Sequence, residues 1–268
     1  MYANDVRSSE ATRHGAYVCL RIPADARPAA ARIDVPGLAG RLGFKGEFAT
    51  VAGHPPEAIA FLRRVGATAA EIADDELLGA EAVVHVAAPT AGPVTEFCAE
   101  LTRLLGPALK PRVLGGIVRP PSYTGNAMHN FAYAHQVVQQ AAAVMPNAFI
   151  VPMCKNGRWW EKGWMERHTY FLPRYDDSGR MLNEGHALVA APGIACITRR
   201  TYRSPVEPAA DGQYDFVNFF ECADADVGKF HGVCAALRDV ARNPEWRFVS
   251  EGPTWHGRRV ATWAELLG

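Results

Sequence analysis

The strongest constraint on this chain is an internal repeat. Residues 82–105, AVVHVAAPTAGPVTEFCAELTRLL, lie over residues 215–239, DFVNFFECADADVGKFHGVCAALRD, at a constant separation of 133 positions (217 − 84). Val84 falls on Val217, Val86 on Phe219, Val94 on Val227, Phe97 on Phe230, Leu104 on Leu237 and Pro120 on Pro253. Self-similarity at one fixed separation marks a duplicated structural unit. Each copy reads as a strand, a turn and a helix whose apolar residues, 94, 97, 101, 104 and 227, 230, 234, 237, follow the spacing of one helical face.

Strands are predicted on either side of these segments. AYVCLRI (16–22) and NAFIVPMC (147–154) open the two copies, and RVLGGIVRP and WRFVSEGP follow the two helices. Each half is then a β-α-β-β-α-β unit of ferredoxin-like type. The fold class expected is α+β, two fused ferredoxin-like halves whose antiparallel sheets pack against each other in a dimeric α/β-barrel-like core with the helices outside. The boundaries expected are a flexible N-terminus over 1–14, a first half over 15–125, a connector over 126–146 and a second half over 147–268.

Composition narrows the function. Lys plus Arg and Asp plus Glu are 28 each with no sustained basic run, so the electrostatic footprint for nucleic acid or an anionic membrane is missing. The N-terminal MYANDVRSSEATRHG has no apolar signal core, and no stretch reaches the roughly 18 apolar residues of a membrane span. A soluble cytoplasmic protein with a small-molecule partner is expected. Six cysteines, at 19, 98, 154, 196, 222 and 234, form no CxxC pair, which speaks against a zinc ribbon, a redox dithiol or a covalently attached c-type haem.

The residues with chemistry gather in the second half. Ser178 is placed to cap a helix over GRMLNEGHALVAA that Pro192 and Gly193 would stop, putting His186 mid-helix beside Met181, Leu182 and Val189. Such a histidine is a metal ligand or a structural residue. In the next strand, GIACITRRTY, Ile197, Arg199 and Thr201 share one side and Thr198, Arg200 and Tyr202 the other, so one arginine must face covered structure. A buried guanidinium calls for an anion, either a substrate or an interior carboxylate. MCKNGRWW brings Lys155 with Trp159 and Trp160, and VRPPSYTG brings Arg119 and Tyr123. These side chains can hold carboxylates and wall a flat ligand.

Taken together, IVPMCKNGRWW, NEGH, TRRTY thirteen residues after that histidine, DFVNFFECAD and EGPTWHG resemble the C-terminal half of the chlorite dismutase family of haem b enzymes, which includes coproheme decarboxylases. GIVRPPSYTG is similar to the family's junction segment. The resemblance implies haem b, or coproheme, with His186 as the iron ligand and Arg199 as the distal arginine. It implies propionate contacts at Lys155 and Tyr123, a tryptophan pair beside the haem at Trp159 and Trp160, and an aromatic pocket residue at Phe220. A homo-oligomer, a pentamer in particular, is also expected from it. Glu221 is the carboxylate considered for the second nitrogen of His186.

Departures from the family pattern bear on substrate. An insertion, KGWMERHTYFLPRYDDSG (162–179), lengthens the gap before His186 and carries a rival ligand, His168. Thr201 and Asn218 make the substrate pocket more polar than in the chlorite enzymes, and Ser250 replaces a further tryptophan. The activity implied is chlorite decomposition to chloride and O2, or use of a similar oxyanion or peroxide. The alternatives are a peroxide-dependent coproheme decarboxylase, a haem enzyme acting on a small organic molecule, and a non-catalytic dimeric α/β-barrel binding protein. A non-haem site built from His168, His186 and Glu184 is the remaining metal reading.

Overall fold

A computed structural model of the chain describes residues 13–44, 58–66, 77–106, 109, 111–118 and 145–268. Its strands, in chain order, are β1 (Arg13–Leu20), β2 (Ala58–Arg64), β3 (Ala82–Ala88), β4 (Arg112–Val118), β5 (Asn147–Lys155), β6 (Arg174–Tyr175), β7 (Met181–Asn183), β8 (Ile197–Arg203), β9 (Phe216–Cys222), β10 (Val249–Glu251) and β11 (Trp255–Val260). The principal helices cover Ala91–Leu105, Gly185–Ile194 and Val227–Arg238. Tyr123, Pro120, Arg119 and nearly all of the 126–146 connector lie outside the described residues, and Arg13 and His14 already belong to β1.

The first half pairs its strands in the order β2-β3-β1-β4 and the second in the order β11-β5-β9-β8, both antiparallel, as in two ferredoxin-like units. The two sheets are not stacked face to face. They join edge to edge, β4 to β8 at Ile117↔Arg203 and β2 to β11 from Arg64↔Gly257 to Phe61↔Val260, closing an eight-stranded barrel among the described residues. Closure removes the edge strands whose unpaired backbone groups would otherwise face water or another chain. The strand β10 extends β5 beyond the barrel, pairing with Met153–Lys155.

Closure also defines three layers. Side chains from all eight strands, among them Tyr17, Leu62, Val83, Leu114, Ile150, Tyr202, Phe219 and Trp255, fill the lumen. Outside the first half, Val84, Val86 and Ala88 pack beneath Val94, Phe97, Leu101 and Leu105 of the helix Ala91–Leu105. Outside the second half, Phe149, Val151, Ile197 and Cys222 lie under Phe230 of the helix Val227–Arg238. A strand covered on both faces has no polar side, which is why β3 reads AVVHVAA and is buried at every position. Each fully buried Phe or Leu in these layers contributes about 1.5–3 kcal/mol of transfer free energy.

Four local expectations are corrected. The repeat holds in the helices, where Phe97 and Phe230 are both buried, but slips by one residue in the strands: Val84 faces the outer helix while Val217 faces the lumen. A one-residue slip exchanges the faces of a strand, and here both faces are apolar, so hydropathy alone could not register it. In the first helix Leu105 rather than Leu104 completes the buried face. WRFVSEGP is a short 3-10 helix (Pro244–Phe248) followed by β10, and the strand that closes the half is β11. Ser178 caps no helix: it sits at the tip of the β6–β7 hairpin, where Asp176 Oδ1 accepts from Ser178 N and Arg180 N, each at 3.0 Å. Met181 and Leu182 are therefore exposed strand residues, His186 is in the first turn of its helix, and Pro192 lies inside the last turn.

Candidate functional site

The helix Gly185–Ile194 begins where two neighbouring segments satisfy its orphan amides. Glu184 N and Gly185 N donate to Arg242 O, both at 3.0 Å, while His186 N donates to Tyr170 O at 3.1 Å and Ala187 N to Phe171 O at 3.0 Å. First-turn N–H groups have no partner within a helix, so these carbonyls hold the turn in place. At its far end Gly193 lies against Ile197 and Val233, which seats the helix over the outer face of the second half-sheet.

Held there, His186 meets a buried carboxylate. Its Nδ1 lies 2.7 Å from Glu245 Oε2, and Glu245 Oε1 lies 2.5 Å from Lys155 Nζ. The Lys155 and Glu245 side chains are 3% and 4% exposed, and that of His186 is 19% exposed. Burial alone would raise the Glu245 carboxyl, but the Lys155 ammonium and His186 outweigh it and hold it down at about 2. An ionised carboxylate only accepts, so Nδ1 carries the proton and donates it to Glu245. Nε2 is the other ring nitrogen, and the carboxylate behind Nδ1 fixes the orientation of the ring.

Lys155 was expected at a propionate; its ammonium is instead turned to Glu245 and lies 4.3 Å from the centre of the Trp159 ring. Glu221, considered as the partner of His186, is on the lumen side, where its carboxylate pairs with the Arg259 guanidinium (Arg259 Nε to Oε1, 3.0 Å). Sequence reasoning missed Glu245. It stands fifty-nine positions after His186 (245 − 186) in NPEWRF, and the one local hint is an acidic residue flanked by Pro and Trp on a segment that must pack inward.

Beside this triad is an aromatic cluster. Trp159, Phe171 and Phe216 are buried together, with Met153, Trp160, Tyr170 and Phe248 packed against them. Asn156 caps the short helix Gly157–Trp160 by accepting from Trp159 N, and Trp160 Nε1 donates to Lys155 O at 3.2 Å. The expected tryptophan pair is thus adjacent to Lys155 and to the His186 region.

On the outer face of the same half-sheet, register places Arg199 opposite Phe220 and Thr201 opposite Asn218. Thr201 Oγ1 donates to Asn218 Oδ1 at 2.7 Å, Phe220 packs edge-on to Phe230 at 5.4 Å, and Arg199 is exposed. The arginine that faces covered structure is Arg200, whose guanidinium shares the lumen with Tyr202, Glu221 and Tyr17. His168 sits half-buried on the short helix Trp164–Thr169, and Glu184 is engaged by Arg242 at 2.5 and 3.0 Å. Among the described residues no group of three or more His, Cys, Asp or Glu is arranged to hold a metal ion, so the non-haem set is not assembled. No helix among them is long and apolar enough to cross a membrane.

No protein-family model and no curated protein matches this chain. Solved structures do. Chlorite dismutase from Candidatus Nitrospira defluvii in complex with imidazole superposes with a TM-score of 0.66 at 20% identity, covering 95% of this chain and 93% of that one. An arginine-to-lysine variant of the same enzyme gives 0.65 at 20% identity and covers 98% of each chain. A tryptophan-to-phenylalanine variant with cyanide gives 0.65 at 19% identity, covering 95% and 93%. With strand order, barrel closure and nearly complete coverage of both chains in agreement, this protein has the chlorite dismutase fold.

Proposed function

We propose that the chain is a divergent member of the chlorite dismutase family, a haem b oxidoreductase in which His186 is the iron ligand and Arg199 holds the anionic substrate. The observation that carries this reading is the His186–Glu245–Lys155 chain of hydrogen bonds. A buried carboxylate orienting one imidazole nitrogen is what a metal-ligating histidine requires, and a buried ammonium keeps that carboxylate ionised. The donor set therefore fits haem iron. Bound haem would supply a ferric centre for oxidation–reduction of an oxyanion or peroxide.

The protein's own residues supply the rest. Glu245 keeps the Nδ1 proton in place so that Nε2 stays a donor to metal. Trp160, half-buried against Trp159 and Phe216, is an apolar ring suited to wall a flat macrocycle. Arg199, permanently charged and exposed on the outer face, is suited to hold an oxyanion and stabilise the charge that develops as its oxygen departs. Lys155 supports the histidine rather than a propionate in this reading. The Nitrospira enzyme of similar fold acts on chlorite, and chlorite is the first substrate to test here.

The Thr201–Asn218 hydrogen bond favours a second reading, a haem enzyme whose substrate is a small hydrogen-bonding organic molecule. The two separate in an oxygen electrode with haem-reconstituted protein. Oxygen release on adding chlorite, lost in Arg199→Ala, supports the first. Haem uptake without oxygen release removes chlorite and leaves the second.

A further inference from the structure

The segment 162–179 looks, in sequence, like an insertion that lengthens the gap before His186 and offers His168 as a rival ligand. Its path brings it against His186 itself. The β6–β7 hairpin pairs Arg174 with Asn183, so the residues three positions further out on either side are Phe171 and His186. Their rings are 5.1 Å apart, tilted by 40°, and Phe171 is buried. One turn of backbone joins the same two places: Tyr170 O and Phe171 O accept from His186 N and Ala187 N. The Tyr170 ring meets Trp159 edge-on at 5.7 Å, and Trp159 in turn covers the Lys155 ammonium. The segment thus touches the His186 end of the triad directly and reaches the Lys155 end through Trp159.

Close approach of the two backbones depends on one residue. Gly185 has φ +67°, in the left-handed region that side-chain-bearing residues avoid, and a Cβ there would fall well inside contact distance of the Leu172 carbonyl. Glycine is the residue that lets the segment lie against the first turn of the histidine's helix.

We propose that the 162–179 segment, through the Tyr170 and Phe171 carbonyls, the Phe171 ring and Gly185, positions the imidazole of His186. Phe171 and Gly185 are positioning residues: they set the ring's orientation toward Glu245 and do not themselves contact a ligand. The inference rests on the reading of His186 as a haem ligand, but it concerns the imidazole and can be measured without haem.

The test uses the full chain labelled with 15N-histidine, haem-free, as parent, Phe171→Ala, Phe171→Leu, Gly185→Ala and Tyr175→Ala, an exposed β6 position. The parent and Tyr175→Ala are expected to show His186 as a locked Nδ1–H tautomer. Phe171→Ala and Gly185→Ala are expected to show exchange between tautomers, and Phe171→Leu to restore the locked form. In parallel, haemin dissociation should quicken at least about ten-fold in Phe171→Ala and Gly185→Ala, with Phe171→Leu close to the parent. A locked Nδ1–H signal and parent-like dissociation in both Phe171→Ala and Gly185→Ala would overturn the proposal. Should Gly185→Ala fail to fold, the contrast between Phe171→Ala and Phe171→Leu decides it. If the parent takes up no haemin, the functional reading fails while the nitrogen spectra still decide this one.

Discussion

Removing the ammonium behind Glu245, by Lys155→Met, should be among the most destabilising single changes outside the hydrophobic layers. Both partners are more than nine-tenths buried, and the pair is 2.5 Å apart. Breaking a buried pair by deleting one member strands the other charge, a loss of about 3–5 kcal/mol. For a chain of this size, each kcal/mol moves Tm by roughly 2–4 °C, so a fall of about 6–20 °C is expected at pH 7. The pH dependence makes the prediction sharper. In the folded parent Glu245 is held at about 2, against an ordinary value of 4.5. A lowered carboxyl stabilises the fold above its unfolded value and loses that stabilisation as pH falls through the folded one. The parent should therefore lose about 3 kcal/mol from this group between roughly pH 5 and pH 2. Without Lys155, burial raises the carboxyl, the slope in this window flattens, and Lys155→Met with Glu245→Leu recovers most of the loss. Urea unfolding of the haem-free protein across pH 2–7 measures all of this. A cost below about 1 kcal/mol at pH 7, or a double variant no better than the single one, would refute the argument.

Three further outcomes follow from the packing. Gly15→Ala places a Cβ against the Tyr202 ring in the lumen, where Tyr202 Oη and His85 Nε2 are 2.9 Å apart; it should cost about 1–3 kcal/mol or more by thermal melt. Arg199→Ala, on an exposed position, should leave stability within about 0.5 kcal/mol while abolishing any chlorite-dependent oxygen release. At pH 8 a thiol reagent should label Cys154 and Cys196 first, since Cys19 is buried and burial pushes Cys98 and Cys222 up to about 12 and Cys234 to about 11; denatured protein should show all six.

What could be read in the sequence was set by local periodicity. Val94, Phe97 and Leu101 repeat as Val227, Phe230 and Cys234 because a helix that covers a sheet needs one apolar stripe, and that stripe survives in both copies. The strand slip between Val84 and Val217 left no mark, because lumen and outer layer are both apolar. His186, Arg199, Thr201 and Asn218 were singled out by the resemblance, and strand alternation placed Arg199 and Thr201 on one face; the hydrogen bond between Thr201 and Asn218 comes from the β8–β9 register, which no local pattern states. Glu245 was not: its meeting with His186 and Lys155 is made by folding across fifty-nine and ninety positions. The helix start was misjudged because Ser178 looks like a cap, while the actual start depends on the left-handed φ of Gly185 and on carbonyls from Arg242, Tyr170 and Phe171. The role of Lys155 changed for the same reason, since a lysine near tryptophans reads alike whether it faces a ligand or an interior carboxylate.

The central claim is that Nε2 of His186 binds haem iron. Haemin titrated into the parent and into His186→Ala, followed by visible absorption and by electron paramagnetic resonance, tests it directly. The account predicts a stoichiometric Soret band and an axial histidine signature in the parent, both lost in His186→Ala and returned in part by added imidazole. Equal haemin uptake with unchanged spectra in both proteins, or no uptake by either, would contradict it.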